Sequence, residues 1–329
     1  EMILDNFTLP KHSSFEVQKG GRDAGIKMLE SFITIRGRNY QKSLSKPALA
    51  RENCSRLSPH LSFGTLSIRE VIQSTWSAMR SAKQNSDWLL RRNLAAFQSR
   101  LHWHCHFIQK LEDQPLIEFN CMHSAFEGMR EPYHSEEKLD GWRNGRTGFP
   151  FVDACMRSLI QTGYLNFRMR AMLVSFAAYN LFLDWRKLNP ILASLFTDYE
   201  PGIHLSQLQM QSGVTGINTL RIYNPVKQGM DHDPLGNFVR QHVPELRHLS
   251  NDHIHLPTNL YCEPLVDLKS SLKSAREAIS IVRKSDGFRT IARGVYNKLG
   301  SRKRSSSRKS KSQPNLLTRR QVTQLKSKK

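Results

Sequence analysis

The sequence has no run of about 18 apolar residues, the length a membrane-spanning helix needs. Its longest apolar stretch, Ala171 to Leu183, is broken by Ser175 and Asn180. Cysteine is sparse: five residues, at 54, 105, 121, 155 and 262, no two closer than 16 positions. That spacing excludes a CxxC metal motif and a dense disulfide framework. The odd count fits a reducing, cytoplasmic setting. A basic-then-apolar secretory leader is missing as well, and the sequence opens on Glu1, which fits a fragment or a processed chain. Alternating strand patterns and internal repeats are absent, so the expected fold class is mainly α. Acidic residues stop at Asp286, and the 43 residues after it hold 14 Lys and Arg. Those 14 are two thirds of a net charge of +21. Such an excess calls for a polyanionic partner, and nucleic acid is the commonest one.

With 329 residues and 39% apolar composition, the chain can bury a sizeable core. Residues 1–20 read as irregular, 21–300 as one helical domain, and 301–329, rich in Ser, Lys and Arg, as a disordered basic tail. Within the domain, Arg22 to Arg36 reads as a helix with Ile26, Leu29 and Ile33 on one stripe, and Ser43 to Ser55 as loop. Ser58-Pro59 reads as a helix start with Ser58 as N-cap. Ser67 and Glu70 read as a capping box opening a second helix. Trp88 to Leu111 is a long helical pattern, and Gly145 to Pro150 a turn leading into a helix from Phe151. Ala171 to Trp185, apolar on nearly all sides, reads as a buried helix. Residues 198–219, Gly-rich and polar, read as a functional loop with short helical pieces, and Ser271 to Lys298 as helix.

Three segments carry chemistry. In Cys54-Ser55-Arg56-Leu57-Ser58-Pro59, two hydroxyls and an arginine precede a helix N-terminus. Its free N–H groups and dipole suit a phosphate, although an ordinary capped helix gives the same pattern. In Arg100-Leu101-His102-Trp103-His104-Cys105-His106-Phe107, His102 and His106 share a face as two metal ligands would. A third ligand is missing, so no metal is expected. Trp103 and Phe107 share another face beside Arg100 and His104. That suits a planar or anionic ligand, or is simply a partly exposed aromatic face. Finally, Arg168 and Arg170 enter an apolar helix, and a buried arginine needs a carboxylate. Asp198 and Glu200 are the candidates, as a structural ion pair or as a ligand anchor.

Taken together, these segments resemble the photolyase/cryptochrome family. Ser55 to Pro59, Gly145 to Arg157, Thr162 to Arg170, Asp184-Trp185-Arg186, Asp198 to Glu200 and Arg221 to Pro225 follow one another in the family's order at comparable spacing. The resemblance implies a helical FAD-binding domain standing without the Rossmann-like antenna domain that usually precedes it. It implies FAD as cofactor and UV-damaged DNA as partner of a monomeric protein. The implied activity is light-dependent splitting of cyclobutane pyrimidine dimers flipped out of the duplex; the alternative is a blue-light receptor without repair activity. By the same resemblance, Ser55, Leu57 and Ser58 contact the FAD phosphates, with Arg56 and Tyr40 beside them. Arg170 pairs with Asp198 near the isoalloxazine ring, and Arg100, Trp103 and His104 line a lesion cavity above it, with Met210. Phe107, Tyr164, Phe167, Tyr199, Glu200 and His204 complete the cofactor site. Trp185 is the middle step of an electron relay.

The chain also departs from the family pattern. His204 stands where an Asn usually faces flavin N5, and Arg100 where a Glu usually bonds the dimer. Leu208 and Met210 replace the two Trp of a Gly-Gly-Trp-x-Trp segment. Of three relay tryptophans only Trp185 remains; the outermost falls near Pro132 and Tyr133. Trp142, Tyr133, Tyr164 and Tyr179 are the aromatics left for a rerouted relay. The His pair of (6-4) photolyases has no match.

Overall fold

The computed structural model describes residues 17–301, and among them there is helix but no strand. The basic tail beyond Ser301 lies outside the described residues. The order is α1 (Arg22–Thr34), α2 (Tyr40–Ser43), α3 (Pro47–Asn53), α4 (Ser58–Ser62), α5 (Ile68–Gln84) and α6 (Trp88–Asp113), then α7 (Glu136–Arg143), α8 (Pro150–Thr162), α9 (Phe167–Ser175), α10 (Trp185–Leu195) and α11 (Pro201–Ser212). α12 (Pro225–His232), α13 (Asn237–His242), α14 (Leu268–Lys284) and α15 (Phe288–Leu299) follow. No helix among the described residues is long and apolar enough to cross a membrane.

Local chemistry sets most boundaries. Ser67 accepts the Glu70 N–H and opens α5, but the Glu70 carboxylate turns to Arg22 at 2.6 Å instead of closing the box. Asp87 accepts the Leu90 N–H and opens α6. Proline at the first turn starts α3, α8 and α11, where its missing N–H costs nothing.

Several boundaries differ from the sequence reading. The stretch from 43 to 55 is not loop: α3 occupies Pro47–Asn53, too short for a periodic pattern to be legible. Ser58 is inside α4 rather than its cap, and its hydroxyl donates to Asp198. Ala171 to Trp185 is not one helix. α9 ends at Ser175, a π-helical turn spans Phe176–Asn180, and Asp184 caps a new helix at Trp185. Uniform burial hides that break, because both sides of it are apolar. Residues 201–212 are a regular helix, α11, not a loop. α14 and α15 are separated at Gly287, whose φ of 78 is left-handed and ends the run.

Two apolar cores result. The smaller gathers Leu29, Phe32, Tyr40, Leu57, Leu94, Phe97 and Leu101. The larger gathers α8, α9 and the residues around Trp142, Trp185, Leu205 and Leu208. α6 and α11 pack against each other, closely enough that a Cβ at Gly202 would lie 2.7 Å from the Cα of Ile108. That approach brings His104 on α6 and His204 on α11 to one cavity.

Candidate functional site

The cavity lies where α4, α6, α9, α10, α11 and the 196–200 turn meet. Its enclosed space is about 150 Å³, and about 780 Å³ with the open mouth counted. Ser58, His104, Phe167, Arg170, Asp198, Tyr199, Glu200 and His204 line it, bringing eight of the sequence-selected residues together. Ser62, Ala171, Val174, Leu192, Phe196, Ile203, Gln207 and Gln211, which were not singled out, complete the wall together with Leu208, which the sequence marked only as a departure from the family pattern. With the segment helical, residues 203, 204, 207, 208 and 211 share one face.

Its anchor is an ion pair. Arg170 meets both Asp198 oxygens, at 2.9 and 3.0 Å, and donates its Nε–H to the Leu165 carbonyl at 2.6 Å. The guanidinium also lies 4.1 Å from the Phe196 ring centroid. Burial alone would push the Asp198 carboxyl up, but Arg170 and the Ser58 hydroxyl outweigh it and hold the carboxyl below its ordinary range. The neighbouring Arg168 instead donates to Ser45 Oγ at 2.9 Å.

His204 is fixed by three groups. Phe196 and Tyr199 meet its ring edge-on, at 6.1 and 5.2 Å. It bonds the backbone of Asn189, and burial, reinforced by the Arg170 cation, pushes it down to about 4, so the ring is neutral at physiological pH. A backbone carbonyl can only accept, so Nδ1 carries the proton and Nε2 is left as an acceptor. Burial lowers His104 too, against the pull of Glu200.

The remaining sequence-selected residues are not among the cavity's lining. Tyr40 packs edge-on to Phe32 and Phe97 in the smaller core. Its hydroxyl bonds Arg100, and burial pushes it up to about 12. Arg100 is exposed beside it. Trp103 stacks on Phe107 at 5.7 Å and is 38% exposed. In the Ser55–Leu57 loop, Arg56 has φ 58 and lays its guanidinium 3.9 Å from the Tyr164 ring centroid. Met210 sits half-buried on α11.

The donor set suits a flat heteroaromatic ligand. Phe167, Val174, Leu192, Phe196 and Leu208 offer apolar faces, while His104 Nδ1, His204 Nε2 and Gln211 Oε1 are buried polar atoms without a partner. Arg56 Nε, also buried and unpartnered, suits a phosphate beyond the ring. Buried polar atoms of this kind need a partner, and a flavin nucleotide supplies a polar-edged ring and phosphates together. The fold is helical, and its cavity lining suits a flat, polar-edged ligand.

The comparisons with known proteins sharpen that class. The family described as the FAD binding domain of DNA photolyase matches residues 97–280. The chain therefore belongs to the photolyase/cryptochrome family, and FAD is the cofactor of this domain. It is similar to the deoxyribodipyrimidine photo-lyase of Vibrio cholerae, 32% identical over 250 residues that cover 73% of this chain and 52% of that protein. It is also similar to cryptochrome-2 of Arabidopsis thaliana, 30% identical over 286 residues covering 79% and 45%. Among solved structures, a class III photolyase from Agrobacterium tumefaciens superposes with a TM-score of 0.73 at 27% identity, covering 82% of this chain and 57% of that one. The chain spans about half the length of the curated relatives it matches.

Proposed function

We propose that the chain acts in light-dependent DNA repair, splitting cyclobutane pyrimidine dimers. The observation that carries this reading is the polar-edged cavity anchored by the buried Arg170–Asp198 pair. FAD supplies light absorption and the lent electron when bound; the chain's own residues place and shield it. Arg170 and Asp198 would hold the bound cofactor, His204 would offer it an acceptor, and the apolar walls would exclude water. Tyr199 and Phe167, partly exposed where they line the cavity, offer aromatic faces to a flipped base. The net charge of +21 draws the DNA backbone.

A second reading, a blue-light receptor without repair activity, draws support from Arg100. That side chain is tied to Tyr40 rather than lining the cavity, and Leu208 and Met210 stack on a base less well than Trp. Near-UV illumination of the FAD-loaded protein with a short thymine-dimer oligonucleotide separates the two. Repair restores the monomers in the light and not in the dark. An FAD-loaded protein that leaves the dimer intact in its reduced form is a receptor.

A further inference from the structure

Trp185 is fully buried at the first position of α10, on the far side of that helix's length from the cavity. Leu192, seven residues further along α10, lines the cavity, so about 10 Å of helix axis separates the two. Around the indole the chain builds a compact polar cluster. The Trp185 Nε1–H donates to Cys121 Sγ at 3.4 Å. The Arg186 guanidinium lies 4.8 Å from the indole centroid and 3.9 Å from the same sulfur. Glu127 and Glu131 bind that guanidinium at 2.5 and 3.3 Å. Glu127 also accepts the Cys121 backbone N–H at 2.5 Å.

These contacts bias one event. A cation over the face of an indole is attracted to its electrons, and by the same interaction it opposes removing one of them. Glu127, Glu131 and Asp184 at 3.3 Å offset that cation, so a hole can form on Trp185 and is trapped where a neighbour loses a proton together with its electron. The nearest group able to give up an electron is a soft, polarizable sulfur at hydrogen-bond distance. The thiol is buried, which pushes it up to about 12, so it is present as S–H. A carboxylate, Glu127, sits within the same cluster and is 38% exposed, giving the proton an exit.

We propose that Cys121 is the electron donor that refills Trp185 after light-driven oxidation. The proposal rests on the reading that the cavity holds FAD; the oxidant is photoexcited, oxidised flavin, which takes one electron from Trp185. In the step assigned here, one electron passes from the Cys121 sulfur to the indole radical cation. The S–H bond breaks, its proton goes to the Glu127 carboxylate, and the products are neutral Trp185, a sulfur-centred radical on Cys121 and Glu127 carboxylic acid. The relay thereby ends on a thiol, in a chain whose other family relay positions hold Leu208 and, roughly, Pro132.

The test is transient absorption on the FAD-loaded full chain, comparing the parent with Cys121→Ser. Serine keeps an acceptor for the Trp185 N–H but cannot be oxidised, so it separates a redox role from a packing role. The indole radical is expected to live at least about tenfold longer in Cys121→Ser, with oxidised flavin recovering by return of the electron. Decay at the parent's rate would overturn the proposal. Freeze-quench electron paramagnetic resonance of the illuminated parent gives an answer even if the variant does not fold. A sulfur-centred radical supports the step, and a persistent indole radical without one overturns it, as does a loaded protein that forms no Trp185 radical. Flavin absorbance of the same samples reads the underlying site: a parent that takes up no flavin removes the site reading and the proposal together.

Discussion

Replacing Asp198 by Ala removes the carboxylate that Arg170 meets through two bonds, at 2.9 and 3.0 Å. What remains is a guanidinium beside the Phe196 ring with one carbonyl partner, Leu165. Breaking a buried pair typically costs about 3–5 kcal/mol, because the surviving charge is left uncompensated. Here the Asp198 side chain is 7% exposed but Arg170 is 24% exposed. Solvent therefore screens part of the orphaned charge and sets the expectation at the lower end, about 3 kcal/mol. At this chain length that corresponds to a fall in Tm of about 5 °C. The Ser58 hydroxyl loses its acceptor in the same change, so the cavity wall should loosen and FAD should be lost together with stability. The acid dependence has a definite sign. Asp198 has a lowered carboxyl pKa in the folded chain, so its contribution is present above the unfolded value near pH 4 and disappears as pH falls below it. The gap between parent and variant, measured by scanning calorimetry and by flavin absorbance after gel filtration, should thus be full at pH 7 and shrink below pH 4. An Asp198→Ala protein that keeps both its Tm and its flavin would refute the reasoning.

Three further outcomes are expected. His204 is pushed down to about 4 in the fold against about 6.5 unfolded, so the unfolded chain binds protons first and stability falls between pH 6.5 and 4, by up to about 3 kcal/mol. Urea midpoints at pH 7 and pH 4.5 should therefore differ less in His204→Asn than in the parent; equal losses would contradict the assignment, since His242, also pushed down to about 4, contributes equally to both. Truncation after Gly300 removes 11 Lys and Arg and should weaken DNA binding with a shallower salt slope, each lost phosphate contact taking about 0.9 unit; an unchanged slope would assign the tail another role. Trp185→Phe should slow blue-light reduction of oxidised FAD yet leave dimer splitting nearly intact once the flavin is reduced chemically, and equal photoreduction rates would make Trp185 a packing residue.

How much of this was legible in the sequence depended on whether a residue's partner was local. The start of α6 and the α5 cap follow from Asp87 and Ser67, whose acceptors lie three residues from their donors. The Arg170–Asp198 pair was legible because an arginine entering an apolar helix narrows its partner to the few carboxylates nearby. α11 was not legible. It is packed by α6 on one side and α9 on another, so apolar, small and amide residues alternate around it without a single polar face. Arg100 and Trp103 lie within one helical turn of His104, yet only His104 reaches the cavity wall. Helical spacing places residues on a face but not the face against a neighbour. The Cys121–Trp185 contact joins residues 64 apart, and nothing in either local sequence points to the other.

The account stands on the cavity between α4, α6, α9 and α11 being the flavin site. Ile203 lines it and is only half-buried, so Ile203→Trp fills the space where the ring would sit while leaving both apolar cores untouched. The measurement is FAD bound per chain, from the absorbance of flavin released on denaturing the purified protein after supplementation with FAD. The parent should carry close to one noncovalent FAD, and Ile203→Trp, with its helical signal and Tm retained, should carry almost none. A folded Ile203→Trp protein loaded with flavin to the parent's level would contradict the account.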